Sequence, residues 1–125
     1  MLYRRERAGS LIREELTLAL RTAVRDPRVQ ALTITEAELT RDRRIARIYV
    51  ACYSGEEDLA QGLVGLESAK GFLRHRLGQV LRWRFTPELE FRIDRSGEYG
   101  ARIDALLDAL QRERSAQANE DEQPE

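Results

Sequence analysis

The sequence predicts an α+β domain whose helices cover one face of a small sheet, on three observations. Apolar residues recur at helical spacing in three stretches, one of them interrupted by glycines, and they alternate with polar residues in three others. The patterns interleave as α-β-β-α-(break)-α-β-α, an order that layers into one compact core. With 125 residues, 42% of them apolar, the chain has room for one such core and no second.

The first helix is expected over residues 9–25, where Leu11, Ile12, Leu16, Ala19, Leu20, Ala23 and Val24 share its apolar spacing and Ser10 supplies the N-cap. Asp26-Pro27 ends it, because proline disfavours helical geometry in the residue before it. Residues 31–39, with Thr33-Ile34-Thr35, form the first strand, and Thr40-Arg41-Asp42-Arg43 is a polar turn. The second strand, 44–53, puts Ala46, Ile48, Val50 and Cys52 on one face and Arg47, Tyr49 and Ala51 on the other. Two strands this close form a hairpin, and Cys52 reads as a small buried apolar residue.

Glu56-Glu57-Asp58 opens the next helix, where the macrodipole favours acids. Its pattern runs over 57–82, and Gly62, Gly65, Gly71 and Gly78 predict that it is bent or broken in two. Strand period returns over 85–93, with Phe85, Leu89, Phe91 and Ile93 inward and Pro87 at the strand's start or on an edge. After the turn Asp94-Arg95-Ser96-Gly97, a last helix carries Ile103, Leu106, Leu107 and Leu110 on one side and a Glu98/Arg102 pair one turn apart. The folded domain is expected to span residues 1–114, followed by an acidic disordered tail at 115–125.

One cysteine, Cys52, excludes an internal disulfide, and one histidine, His75, leaves zinc chemistry and most histidine-based catalysis without side chains. No run approaches the roughly 18 apolar residues of a membrane span, and the N-terminal residues lack the apolar core of a signal peptide, so a cytoplasmic protein is expected. The net charge is −1, but Glu120, Asp121, Glu122 and Glu125 all fall in the last eleven residues. Setting those four aside leaves 18 acidic against 21 basic groups, a net +3 over residues 1–114. The cations cluster as Arg4, Arg5 and Arg7, as Arg41, Arg43, Arg44 and Arg47, and as Lys70, Arg74, Arg76, Arg82 and Arg84, the last group with no acid among residues 70–84. Twenty of the 21 are arginine, which suits phosphate binding by planar guanidinium forks and equally a compositional bias of the source genome.

Residues 66–84 are the most informative segment. Leu66, Ala69, Leu73, Leu77, Val80 and Leu81 form one apolar stripe, while Lys70, Arg74 and Arg82, joined by His75, fall on the side away from it. Gly71 and Gly78 project into that polar strip, where the missing Cβ lets another polymer come close. A break near Gly71 would also free helix-start amides beside Lys70, an anion-binding corner for a phosphodiester. The plain alternatives are a solvated helix face and a packing hinge. Arg82-Trp83-Arg84 sets an indole between two guanidiniums, a stacking platform for bases on one reading and ordinary core or edge packing on the other.

Other constellations carry less. Gly62-Leu63-Val64-Gly65 spells a GxxG phosphate clamp, but its apolar middle residues are expected to be buried. His75 has no nucleophile beside it and is expected at the surface or on a phosphate. Glu56, Glu57 and Asp58 radiate from a helix and do not form a metal site, and Glu88 and Glu90 read as exposed strand acids, not as a catalytic pair. No catalytic residue, metal or cofactor is expected.

The string Asp26-Pro27-Arg28-Val29, then Thr33-Ile34-Thr35-Glu36, Arg41-Asp42 and Ala46-Arg47-Ile48-Tyr49-Val50 resembles bacterial ribosome-binding factor A. So do Ser68-Ala69-Lys70-Gly71-Phe72-Leu73-Arg74, Leu77-Gly78, Arg82, Arg84, Pro87-Glu88-Leu89 and Phe91, and above all Asp94, Ser96, Glu98 and Gly100-Ala101-Arg102-Ile103-Asp104. The resemblance covers roughly residues 4–110. It implies a type II KH-like fold with a three-stranded mixed sheet, and a helix–kink–helix element at Ala69, Lys70 and Gly71 in place of the GxxG loop. It further implies a monomer that binds the free small (30S) ribosomal subunit and its 16S rRNA late in assembly, supports 5′-end processing and growth in the cold, works beside other assembly factors and catalyses nothing itself. The acidic tail and the mildly negative charge lie outside the shared pattern; the tail either aids solubility or competes weakly with RNA. The RNA-binding set expected on this basis is Arg4, Arg5, Arg41, Arg43, Arg44, Lys70, Arg74, His75, Arg82 and Arg84. The competing expectation is a protein-interaction module that docks through its exposed sheet face or final helix.

Overall fold

The computed structural model describes residues 2–122, except for the side chains of residues 2–3, 98–101, 103 and 117–122. Helix α1 spans Leu2–Thr22, so it starts seven residues earlier than expected and Ser10 is an interior residue, not an N-cap. Packing explains the extension. Ala8 is buried, and Gly9 lies so close to the first strand that an added Cβ would sit 2.5 Å from the Ala37 carbonyl oxygen. The inward face, continued by Ile12, Leu16, Ala19 and Leu20, stabilises turns that propensity alone would leave frayed.

Beyond α1, Asp26 caps a short 3-10 turn, Pro27–Ala31, that the sequence did not signal. The Arg28 guanidinium, 2.6 Å away, and the Arg28 amide, 3.0 Å away, both donate to its carboxylate and hold its pKa below the ordinary 3.8. Strands β1 (Leu32–Leu39) and β2 (Ile45–Cys52) form the antiparallel hairpin, with Leu39 opposite Ala46 and Leu32 opposite Cys52. β1 bulges between Ile34 and Glu36, and the Thr35 hydroxyl there lies 2.6 Å from Asp94 Oδ2. Strand β3 (Glu88–Ile93) joins β2 in parallel, giving the order β1-β2-β3 and the expected mixed sheet.

β3 begins three residues later than expected, and Phe85, expected inward, is 75% exposed. Pro87 has no amide to donate, so the first bond into the ladder runs from the Glu88 amide to the Arg44 carbonyl at 2.8 Å. The carbonyls of Thr86 and Pro87 are taken instead by the Arg74 side chain, at 2.9 and 3.2 Å.

Helix α2 runs unbroken over Glu56–Leu81, with the three acids in its first turn and Gly55 ahead of them at φ 118°. Of the two expectations, bent or broken, the break at Gly71 does not occur. Each interior glycine costs a helix about 1 kcal/mol, whereas each fully buried Leu stabilises it by about 1.5–3 kcal/mol. Leu59, Leu66, Leu73, Leu77 and Leu81 are all buried along one continuous stripe, so the helix is held across its glycines. Val80, assigned to that stripe from its spacing, is instead 42% exposed. Gly62 and Gly65 are contact points: an added Cβ would lie 2.6 Å from Leu32 Cγ at the first and 2.9 Å from Val29 Cγ1 at the second. The GxxG string therefore fails as a clamp because its glycines face the core, while Val64 between them is exposed. Helices α1 and α2 pack on the sheet over a core of Ile12, Leu16, Ile34, Ile48, Val50, Leu66, Leu73, Leu77 and Leu89.

The chain forms two compact units, residues 1–94 and 95–125. The second holds α3, Ser96–Glu122, on which Leu106, Leu107 and Leu110 are at least half exposed. α3 continues as a helix through the segment from Ser115 to Glu122, which the sequence leads one to expect as disordered. Ala116, Gln117 and Ala118 are good helix formers that extend an existing helix at little cost. The side chains of Glu98 and Ile103 lie outside the described residues. Among the described residues, no helix is long and apolar enough to cross a membrane.

Candidate nucleic-acid interface

Topology gathers cationic segments that are far apart in sequence. The hairpin turn, residues 40–44, joins the end of β1 to the start of β2, and because β3 is parallel to β2 its first residue, Glu88, lies beside Ile45 at the same end of the sheet. α2 must therefore deliver its C-terminus there, with Arg82, Trp83 and Arg84 in the connecting loop. α1 runs antiparallel to β1, since Gly9 meets Ala37 and Arg13 Nη1 lies 3.5 Å from the Thr35 carbonyl, so Arg4 and Arg5 point toward this end too.

The turn is built around Asp42. The Thr40 hydroxyl donates to its carboxylate at 2.8 Å and the Arg44 amide at 3.1 Å, while the Arg43 amide bonds the Thr40 carbonyl at 2.9 Å. The bonds to the carboxylate, the Arg44 amide's foremost and then the Thr40 hydroxyl's, lower the Asp42 pKa below the ordinary 3.8. The support they give the turn is therefore complete above pH 3.8 and is lost as pH falls through the lower folded value. An NMR titration should show the Arg44 amide shift moving with a midpoint below 3.8; a midpoint at or above 3.8 contradicts this assignment.

Among the described residues, the two non-glycines with positive φ are both arginines at this end, Arg43 at 62° and Arg82 at 52°. Glycine would adopt that conformation without the strain of about 1–2 kcal/mol that an L side chain meets there. Both positions keep a cation where backbone strain argues against one, a pattern that concentrates at functional sites. Arg82 also complements the negative C-terminal end of α2, where its amide bonds the Gly78 carbonyl at 3.2 Å.

Two concavities meet here. One, of about 850 Å³, is lined by Asp42, Arg43, Arg44, Arg74, Trp83, Arg84, Phe85, Thr86 and Glu88. The other, of about 510 Å³, lies along α2 between Gly71, Arg74, His75, Gly78 and Gln79 and the same residues 84–86. Arg74, Arg84, Phe85 and Thr86 belong to both, so the two adjoin along these residues. Four guanidiniums line the first hollow against two acids, each already engaged: Asp42 by the turn and Glu88 by Arg74 at 3.9 Å. Glu90 is paired with Arg92, whose Nε lies 2.7 Å away, so the two strand acids have separate partners.

The ten expected side chains thus sort by position. Arg43, Arg44, Arg74 and Arg84 share one hollow, His75 lines the adjoining groove, and Arg41 and Arg82 flank them in the turn and loop. Arg4 and Arg5 reach the same end, but Arg5 lines a separate groove of mixed charge with Glu6, Glu36 and Glu38. Lys70 stands apart at mid-helix, ion-paired to Glu67 at 3.0 Å and 5.5 Å from the Phe91 ring. Because α2 is continuous through Ala69-Lys70-Gly71, no helix-start amides are freed beside Lys70.

The glycines of the strip also separate. An added Cβ at Gly78 would meet Thr86 Oγ1 at 2.6 Å, whereas at Gly71 it would meet nothing within 4 Å. Gly78→Ala should therefore lower the thermal stability, and Gly71→Ala should raise it by about 0.5–1 kcal/mol. A loss at Gly71 would show that its surface is packed within the fold.

Sequence reasoning missed Phe85 as a surface group, although Pro87 two residues later signalled that strand pairing had not yet begun. It left Trp83 between two readings. The indole is half-buried against the core, as the packing reading expects, and the Arg43 guanidinium lies 5.4 Å from its centroid.

Comparison with known proteins agrees with this architecture. The family model described as ribosome-binding factor A matches residues 4–107. A ribosome-binding factor A of Dictyoglomus thermophilum is 50% identical over 104 residues, 82% of this chain and 87% of its own. The crystal structure of ribosome-binding factor A from Thermus thermophilus matches with a TM-score of 0.65 at 27% identity, covering 74% of this chain and 98% of that one. A homology model of the Thermus thermophilus factor, fitted into a cryo-EM map of its complex with the 30S subunit, matches with a TM-score of 0.57 at 29% identity over 70% and 91% of the two chains. On sequence and fold together, the chain belongs to the ribosome-binding factor A family.

Proposed function

We propose that this protein binds the free small ribosomal subunit through the hairpin end of its sheet. By holding one conformation of 16S rRNA it supports late maturation and 5′-end processing without itself changing a covalent bond. The observation that carries this reading is the meeting of Arg43, Arg44, Arg74 and Arg84 in one hollow, from segments thirty to forty residues apart. Guanidiniums gathered on a rigid frame grip a phosphodiester backbone and fix its register without reading bases. The family supports the same partner, since the Thermus factor was fitted into a map of a 30S complex. On this reading the chain acts as a cytoplasmic monomer without cofactor, beside other assembly factors, and matters most in the cold, where trapped RNA conformers escape slowly.

The test is sedimentation with free small subunits and with complete ribosomes across a salt series. Co-migration with free subunits alone, falling steeply with salt as counterions are released, is expected. Salt-insensitive association would favour a protein partner, for which α3 supplies a surface: Leu106, Leu107 and Leu110 are 61%, 56% and 50% exposed.

A further inference from the structure

We propose that the hollow between Arg43, Trp83 and Phe85 is a subsite for one unpaired base of RNA, held between the Phe85 ring and the Arg43 guanidinium that lies on Trp83. This rests on the RNA-binding reading and adds to it a place where a base, and not only backbone, is held.

Phe85 is the most exposed large apolar side chain among the described residues, yet its loop is not loose. Leu81 before it and Pro87 after it are buried, Arg74 bonds the carbonyls of Thr86 and Pro87, and Thr86 is seated against Gly78. A ring held into solvent on a braced loop is a preorganised platform, and little ordering cost remains when something stacks on it. The opposite wall is braced as well. The bonds to Asp42 hold the turn, and the Arg43 guanidinium, a planar group able to stack on a second flat group, lies 5.4 Å from the indole centroid.

The hollow's volume, about 850 Å³, falls within the range of ligand pockets. Its chemistry narrows the occupant: two aromatics and a guanidinium suit a flat heterocycle, and Arg44 and Arg84 around them suit the phosphates on either side. An acidic peptide would use the cations but gain little from the flat slot. A paired base is already stacked on both faces and cannot enter, so the strand must be single at this point. Because Phe85 lines both grooves, it would part successive bases of a strand following them.

Trp83 is the sole tryptophan of the chain, so its fluorescence reports occupancy of this subsite directly. A short single-stranded oligoribonucleotide should quench it, and the same strand annealed to its complement should bind at least fivefold more weakly. Phe85→Ala should raise the Kd for the single strand about tenfold, with Phe85→Tyr restoring it, since stacking is sequence-tolerant and lost on truncation. The slope of affinity against salt should stay unchanged in Phe85→Ala, because no phosphate contact is removed. Equal binding of single strand and duplex, an unchanged Kd in Phe85→Ala, or stronger quenching by an acidic peptide than by RNA would overturn the subsite. The parent reading is scored separately. If wild type and Phe85→Ala co-sediment equally with free small subunits, only the subsite fails; if wild type does not co-sediment, the RNA-binding reading fails as well.

Discussion

Replacing Arg43, Arg44 and Arg84 together by alanine lowers affinity for the free small subunit by about two orders of magnitude at 0.1 M salt, and by little near 1 M. Each guanidinium–phosphate contact contributes about 0.7–0.9 to the slope of log affinity against log salt, so three contacts carry a slope of about 2–3 and a factor of about 10² or more per decade of salt. The fold should survive, because Arg43, Arg44 and Arg84 are exposed and the stacking of Arg43 over Trp83, which the substitution removes, stabilises by about 0.5–1 kcal/mol. Arg74 is left in place because its bonds to Thr86 and Pro87 hold the loop. Removing two cations at and just beyond the other end of α1, Arg21→Ala with Arg25→Ala, should leave both affinity and slope unchanged. Binding measured by sedimentation or filter retention decides it: equal losses in the two variants would mean that net charge, not this hollow, governs association.

The largest effects on folding are expected where α2 meets the β1 strand and the 3-10 turn. An added Cβ at Gly62 would lie within 2.8 Å of three atoms of the Leu32 side chain, and at Gly65 within 3.1 Å of both Val29 Cγ1 and Asp26 Oδ2. Gly62→Val and Gly65→Val should each destabilise the domain by about 1–3 kcal/mol, since overpacking a dense core forces side chains off their rotamers and shifts backbone. Against a total of about 5–15 kcal/mol, the double variant approaches the limit of folding. Urea denaturation checks this. Unchanged midpoints would mean that the helix can move away from Leu32 and Val29 without loss, and that the two glycines answer to something other than packing.

These particulars show which parts of the molecule can be read locally. The hairpin, the acidic start of α2 and the leucine stripe of α2 follow from periods of two and 3.6 residues and from charge at a helix end, all of which are written in adjacent residues. The unbroken course of α2 could not be read that way. Glycine propensity argues for a break, and only the partners of Gly62, Gly65 and Gly78 on other elements reveal that three of the four glycines are contact points. The early start of α1 likewise depends on the approach of Gly9 to Ala37. The candidate site was half legible. Its cations were identifiable as clusters, but their convergence is a product of strand order, because it takes a parallel β3 to return the 82–87 loop to the hairpin turn. Two side chains were not legible in their neighbourhoods: Lys70 is ion-paired to Glu67 at mid-helix, and Phe85 is exposed at the sheet's end.

The most direct measurement uses two aromatic side chains of nearly equal exposure at opposite ends of the sheet, Phe85 at 75% and Tyr53 at 72%. A benzophenone side chain placed at position 85 or at position 53, irradiated on the free small subunit, reports which end touches RNA. The account predicts cross-links to rRNA from position 85 and none above background from position 53. Cross-links from position 53 with none from position 85 would contradict it.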